Sequence, residues 1–310
     1  MRRFSWQPYL YIAPAGLLLI TFSFYPLIYA VWMSMHSGWG KPAQRFVGIS
    51  NYSELLTGAE FWNSLGVSVW YVIGTVPIAL ALSFFIANLL FQKLRGLGLY
   101  RTIYFLPYVT STVAAAMVWR WIFSPGTAGA ANTFLDWFGI PAQRWYYQSA
   151  GVFALVGEHF GISLPEWAAG PSLALVSVMI FSIWHALGFD VVIFLAGLSA
   201  VPREIYEAAE IDGAGSSRKM WHVTLPLISP TLMFLAIVSV IRSFQTFNQI
   251  YVLTREQSMG STQNLTMLIF NQFYGVFNYG TATATAVLLF LIMLGLTVLQ
   301  LRIVGPRVHY

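Results

Sequence analysis

Residues 65–91 read LGVSVWYVIGTVPIALALSFFIANLLF, a run from Leu65 to Phe91 without one charged side chain. As a helix it is about 40 Å long at 1.5 Å per residue, enough to cross a hydrocarbon core of about 30 Å with some tilt. The rest of the chain is of the same kind. Of 310 residues 57% are hydrophobic and 9% charged, with mean hydropathy +0.66, whereas a soluble domain is about 25% charged. The 24 Phe, 16 Tyr and 12 Trp need an apolar solvent as well as an apolar core. This is an integral membrane protein. A net charge of +5 is too small to indicate nucleic acid. The absence of Cys excludes disulfides, thiol catalysis and cysteine-ligated metals.

Five further segments meet the length and polarity of a span. They are 10–31, 103–123 (Trp121 to Phe123 extending it past Arg120), 173–198 despite His185 and Asp190, 231–253 despite Arg242, and 282–301. With 65–91 they predict an all-α, polytopic membrane protein of six helices, forming one domain over 1–310. Ala150 to Leu164 is too short and carries Glu158 and His159. Asn264 to Tyr279 is interrupted by Asn271, Gln272 and Gly275. Both read as interfacial or re-entrant pieces packed on protein.

An even number of spans puts both termini on one side. With the N-terminus inside, the inner segments hold Arg2, Arg3, Lys93, Arg95, Arg101, Arg203, Arg218, Lys219, Arg302 and Arg307, ten of the 16 Lys plus Arg. Lys41, Arg45, Arg120, Arg144 and Arg255 fall outside or near the outer surface, and Arg242 lies in a span. The bias predicts N-in, C-in. The basic start followed by a long apolar run reads as a retained signal anchor.

The longest inner connection, 199–230, concentrates polar residues. Pro202 to Asp212 has good helix formers, with Pro at the first turn and Ile205, Ala208 and Ala209 on one face. Gly213-Ala214-Gly215 breaks that helix, Ser216 offers an N-cap for a second, and Leu225-Pro226 stops it. The product is a helix-turn-helix knuckle whose alanines let a partner approach closely. The plain alternative is a solvated hairpin without a partner.

Glu207-Ala208-Ala209, then Gly213, then Leu225-Pro226 resembles the EAA loop of ABC importer permeases. Ile205 to Gly215 is similar to the carbohydrate-uptake branch, the family of maltose and glycerol-phosphate permeases. Phe46 to Tyr52, Tyr104 to Pro107, Trp119 to Phe123 and Ile193 to Leu198 extend the likeness to the whole chain except the stretch at about 150–170, which looks like an outer-loop insertion. The resemblance implies a type I ABC importer permease in a bacterial or archaeal plasma membrane. It implies a second homologous permease, two ATP-binding subunits carrying ATP and Mg2+, and an extracytoplasmic solute-binding protein. The knuckle, with Glu207, Ala208, Ala209, Asp212 and Gly213, would then couple to an ATP-binding subunit, Glu207 facing basic residues there. Gly213 would supply a turn of positive φ.

The chain carries no G-x-x-x-x-G-K-[ST], no H-E-x-x-H and no G-x-S-x-G. No cofactor or metal is expected on it, and lone His36, His159, His185, His222 and His309 read as structural. An intramembrane hydrolase lacks a nucleophile–base pair. A secondary transporter using Asp190 and Arg242 for ion coupling lacks inverted repeats. In the fifth span Arg242, Gln245 and Gln249 fall at i, i+3, i+7, with Asn248 beside them and Phe244, Phe247 and Tyr251 as neighbours. That stripe suits a path for a hydroxyl-rich solute such as a sugar or polyol. Its rival is interhelical glue, and the resemblance, which places solute contacts on the late spans, favours the path. Asp190 and Arg242 depart from the family pattern of Asn and a small residue. Their depths from the inner ends of spans four and five, about 12 and 16 Å by helical rise, predict a pair across that interface. The rival is an unpaired Arg242 that recognises an anionic solute such as a phosphate ester.

Overall fold

The computed structural model describes residues 7–38, 45–91, 96–165, 168–254 and 260–307. The inner charges Arg2, Arg3, Lys93 and Arg95 and the outer Lys41 and Arg255 lie outside the described residues. Helices dominate. α1 (Gln7–Leu19) and α2 (Tyr25–Met33) are joined by a π turn, followed by the ribbon β1 (His36–Ser37) and β2 (Arg45–Phe46), then α3 (Ser50–Thr57) and the long α4 (Ala59–Phe91). α5 (Leu97–Val109), α6 (Thr112–Ile122), α7 (Ala130–Asp136) and α8 (Val152–His159) lead to α9 (Leu173–Ala200). α10 (Arg203–Ile211), α11 (Ser216–Lys219) and α12 (Leu225–Leu227) precede α13 (Ser229–Phe244). α14 (Asn248–Thr254), α15 (Leu265–Phe270) and α16 (Tyr279–Val304) complete the order.

Among the described residues four helical stretches are long and apolar enough to cross a membrane: Tyr9–Met33, α4, α9 and α16. The number rises to six if each of two bent helix pairs is one span. The expected third span, 103–123, is one such pair: α5 and α6 meet at 96°. Thr110 and Ser111 are extended there, and Thr110 Oγ1 donates to the Leu106 carbonyl at 2.8 Å. Hydroxyls competing for backbone acceptors, next to Pro107, end the helix. The expected fifth span, 231–253, is interrupted at 245–247, where α13 gives way to α14.

Contacts gather into two compact units, 1–62 with 267–292 and 63–266 with 293–310. Only 6% of the most apolar part of the first long stretch, Tyr9–Met33, is buried. In the first unit Asn51 Nδ2 donates to the Ser34 and His36 carbonyls at 2.7 and 3.1 Å. A Cβ on Gly280 would collide with that His36 carbonyl, so the second residue of α16 has to be glycine for the approach to fit.

In the second unit α9 is the central helix, started by Ser172, whose Oγ accepts from Leu175 N at 3.1 Å. Val191, Phe194 and Leu198 pack with Val76, Leu80 and Leu90 of α4 and with Ile228 and Leu235. In lipid such packing is stabilised by close van der Waals contact rather than by escape from water. Small residues allow it: a Cβ on Gly188 would meet Tyr108 Cβ at 2.8 Å and the Tyr104 carbonyl at 3.0 Å. Outside α6, Tyr146 is buried, and desolvation pushes its phenol far above the usual range.

Candidate functional site

The second unit holds a cavity of about 380 Å3. Its walls are α4 (Tyr71, Thr75), Tyr108 at the end of α5, α9 (Ser182, His185, Asp190) and the α13–α14 junction. The junction is where a helix gives up its regular bonds. Gln245 caps α13 at φ −88° and ψ 3°, and α14 starts only at Asn248. The carbonyl of Thr246, freed by the break, accepts from Asn264 Nδ2 and Thr266 Oγ1, each at 2.6 Å. Irregular backbone inside a spanning region persists where protein satisfies it or where it lines a cavity, and here both hold.

Arg242, Gln245, Asn248 and Gln249 all line this cavity, but not as the single helical stripe expected. Arg242 ends one helix and Asn248 and Gln249 begin another. Asp190 and Arg242 share the cavity too, and the expected pair between them is not formed. Asp190 is 1% exposed and neither carboxylate oxygen has a hydrogen-bond partner. The Arg242 guanidinium instead lies 4.0 Å from the ring centroid of Phe189 and 5.9 Å from that of Tyr108. Phe189 and Asp190 are consecutive, about 100° apart around α9. The exposed Arg242 guanidinium, settled on the ring in a cation–π contact, is turned off the carboxylate. The depths matched; the rotation did not.

The sequence reading left out several wall residues. Tyr71 donates to Ser182 Oγ at 2.7 Å, and His185 lies 3.3 Å from Thr112 Oγ1. The usable signal was Ser182, His185 and Asp190 on α9 with Ser239, Arg242 and Ser243 on α13, polar residues recurring on helical faces of otherwise apolar spans.

The knuckle is the second feature. α10 begins after Pro202 and ends in a Schellman motif. Gly213 has φ +74°, its N–H donates to the Glu210 carbonyl at 3.0 Å, and Ala214 N–H donates to the Ala209 carbonyl at 2.9 Å. No residue of α10 is buried, and Glu207, Ala208, Asp212 and Gly213 are exposed, with Ala209 half-buried. Ile211 and Trp221 are bare apolar groups, 87% and 67% exposed. Lys219 Nζ pairs with Glu210 Oε1 at 2.5 Å across the two arms, and Tyr206 and Thr224 hydroxyls meet at 3.2 Å near the root. The second arm departs from expectation. Its cap is Gly215, not Ser216, and the helix runs through Leu225-Pro226 to Leu227. A π turn at Met220–Thr224 ends one residue before Leu225-Pro226 and absorbs the proline's missing donor. No group of three or more His, Cys, Asp or Glu able to hold a metal occurs among the described residues.

Apolar spanning helices, a polar cavity at a helix break and an exposed, largely polar knuckle with two bare apolar side chains fit a membrane permease. The chain belongs to the family described as binding-protein-dependent transport system inner membrane component, which it matches over residues 79–310. It is 30% identical to the sn-glycerol-3-phosphate transport system permease protein UgpA of Agrobacterium fabrum, covering 98% of this chain and 96% of that one. It is equally 30% identical to the trehalose/maltose transport system permease protein MalF of Thermococcus litoralis, over 95% and 92%. In fold it is similar to a bacterial ABC transporter that imports the acidic polysaccharide alginate, with TM-score 0.75 at 20% identity, covering 97% and 96% of the two chains. The expected identity as an ABC importer permease of the carbohydrate-uptake group, in the inner membrane, therefore stands.

Proposed function

We propose that the chain forms half of the translocation path for a saccharide, polyol or related small polar solute, with the cavity as its solute contact and the knuckle as its coupling element. The cavity at the α13–α14 break is the observation that carries the reading: amides and hydroxyls exposed to a space of about 380 Å3 inside an apolar helix array. Gln245, Asn248, Gln249, Asp190 and Arg242 meet the solute. Glu207, Ala208, Ala209, Asp212 and Gly213 meet an ATP-binding subunit, on which ATP and Mg2+ are held. The assembly includes a second homologous permease, two ATP-binding subunits and an extracytoplasmic solute-binding protein, in a bacterial or archaeal plasma membrane. Both termini of this non-catalytic subunit face the cytoplasm.

The packing gives a route for force. Leu198 and Val201 at the end of α9 share a buried cluster with Ile228 and Leu235 of the α12–α13 segment. A push on α10 thus moves the roots of both helices that carry the cavity charges. The test is the purified, reconstituted complex with Glu207→Lys or Gly213→Leu. Both variants are expected to reach the membrane at wild-type levels and to lose solute-stimulated ATP hydrolysis at least tenfold. The first leaves a reversed charge facing its own sign and the second forces a side chain into φ +74°. Wild-type turnover in both removes the knuckle from the mechanism.

A further inference from the structure

The cavity holds one carboxylate and one guanidinium that feel each other's charge but make no hydrogen bond or salt bridge to each other. The oxygens of Asp190 are buried and unbonded. Arg242 is occupied with the face of Phe189 at 4.0 Å. A buried, unpaired carboxylate is among the costliest states of a side chain. Asn, of nearly the same shape, would avoid that cost, so the fold itself gains nothing from the charge. Among the described residues nothing bonds it, and the cavity that Asp190 lines is the route by which a partner group from outside the chain would reach it once its oxygens are uncovered.

The chemistry of that partner follows from the charge count. One negative and one positive group leave the cavity formally neutral. A phosphate ester or uronate drawn to the exposed Arg242 brings its charge toward the desolvated Asp190, and beside a buried carboxylate that repulsion is stronger than in water. An ammonium drawn to Asp190 meets Arg242 in the same way. A neutral polyol meets neither. Adjacent hydroxyls donate to the two carboxylate oxygens after displacing the side chains that cover them in this state, a hydroxyl or ring oxygen accepts from the exposed guanidinium, and Gln245 and Asn248, both exposed, bond the remainder.

We propose that Asp190 and Arg242 are a charge pair held apart and closed by the solute, so that the path accepts neutral saccharides or polyols and rejects phosphate esters and uronates. This rests on the importer reading above and narrows its solute class; Asp190 becomes the specificity-determining residue.

The experiment uses the complete complex with its binding protein in proteoliposomes. The neutral probes are labelled trehalose and maltose, and the anionic ones sn-glycerol-3-phosphate and digalacturonate. Wild type is expected to accumulate a neutral probe in an ATP-dependent way and neither anion. Asp190→Asn is expected to lower that uptake at least tenfold while leaving the Tm of the purified complex unchanged or raised, because a desolvated charge is lost. Preference of the wild type for an anionic probe overturns the proposal, as does full neutral uptake by Asp190→Asn. A fall of several degrees in Tm also overturns it, because Asp190 would then be held by the assembly rather than waiting for solute. Failure of the importer reading is a different result, accumulation of no probe of either charge. In that case the Tm comparison still decides the role of Asp190, a rise supporting the proposal and a fall sinking it.

Discussion

Asn132 holds the loop that follows α6 together. It is 2% exposed, and its amide group donates to the Gly126 and Gln143 carbonyls at 2.8 and 3.0 Å. Its Oδ1 accepts from Gln143 N–H at 3.0 Å and Trp145 Nε1–H at 2.8 Å. Trp145 sits at φ +33°, a strained conformation for a residue with a Cβ, and its ring lies 4.7 Å from that of Phe123. The bond from Asn132 and the tilted ring contact with Phe123 hold the indole there. Asn132→Ala strands several of these groups, and each buried unmet donor or acceptor costs about 1–3 kcal/mol. The expected outcome is a Tm several degrees lower and new protease cleavage between Gly126 and Tyr147, read by differential scanning fluorimetry and limited proteolysis. An unchanged Tm and unchanged digestion would show that the loop is held elsewhere.

At the scale of elements, α8 and its flanks form an excursion that closes on itself. Gly151 bridges Ser172, Val152 N–H donates to the Pro171 carbonyl at 2.9 Å, and Leu173 N–H returns to the Ala150 carbonyl at 3.0 Å. The two ends already touch, so removing 152–170 and joining the ends with about three Gly and Ser residues closes a short loop at little entropic cost. The shortened chain is expected in the membrane at near wild-type level, with a smaller Tm loss than Asn132→Ala; its absence from the membrane would make the excursion part of the core. The long apolar helices were legible in the sequence, since lipid demands a fixed run of apolar residues, but their ends less so: α4 starts at Ala59, six residues before the expected Leu65. The breaks at 110–111 and 245–247 were not, because Thr and Ser are ordinary in spanning helices and the partners that settle the second break, Asn264 and Thr266, lie far along the chain. The cavity was half legible. Arg242, Asp190 and the three amides stand out as polar groups in apolar runs. Tyr71, Ser182 and His185 read as core residues until α4, α9 and α13 bring them to one wall. Gly213 was legible because a turn there has one economical solution.

For the whole molecule the open question of mechanics is whether the bent pair α5–α6 crosses the membrane or re-enters it. The two helices have 13 and 11 residues and meet at 96°, so their ends are about 24 Å apart at 1.5 Å per residue, short of a core of about 30 Å. Length leaves the matter undecided, and charge decides it. Arg101 stands in α5 near its start, and Arg203, Arg218 and Lys219 stand on the knuckle that follows α9. If the pair crosses, α9 runs inward and all four basic residues face the cytoplasm, as the positive-inside bias favours. If it re-enters, α9 runs outward and carries the three knuckle charges across the membrane, against the bias and against a potential worth about 2.3 kcal/mol per charge per 100 mV. Crossing is therefore expected. The chain has no Cys, so single substitutions report cleanly. Ser50, Ser149 and Ser216 are all exposed. In intact cells Ser50→Cys and Ser149→Cys are expected to react with a membrane-impermeant maleimide, and Ser216→Cys only after permeabilisation. Re-entry gives the reverse at the last two positions, with Ser216→Cys reactive from outside and Ser149→Cys silent. That pattern would also remove the knuckle from reach of any cytoplasmic ATP-binding subunit, so this one labelling series bears on orientation and on coupling together.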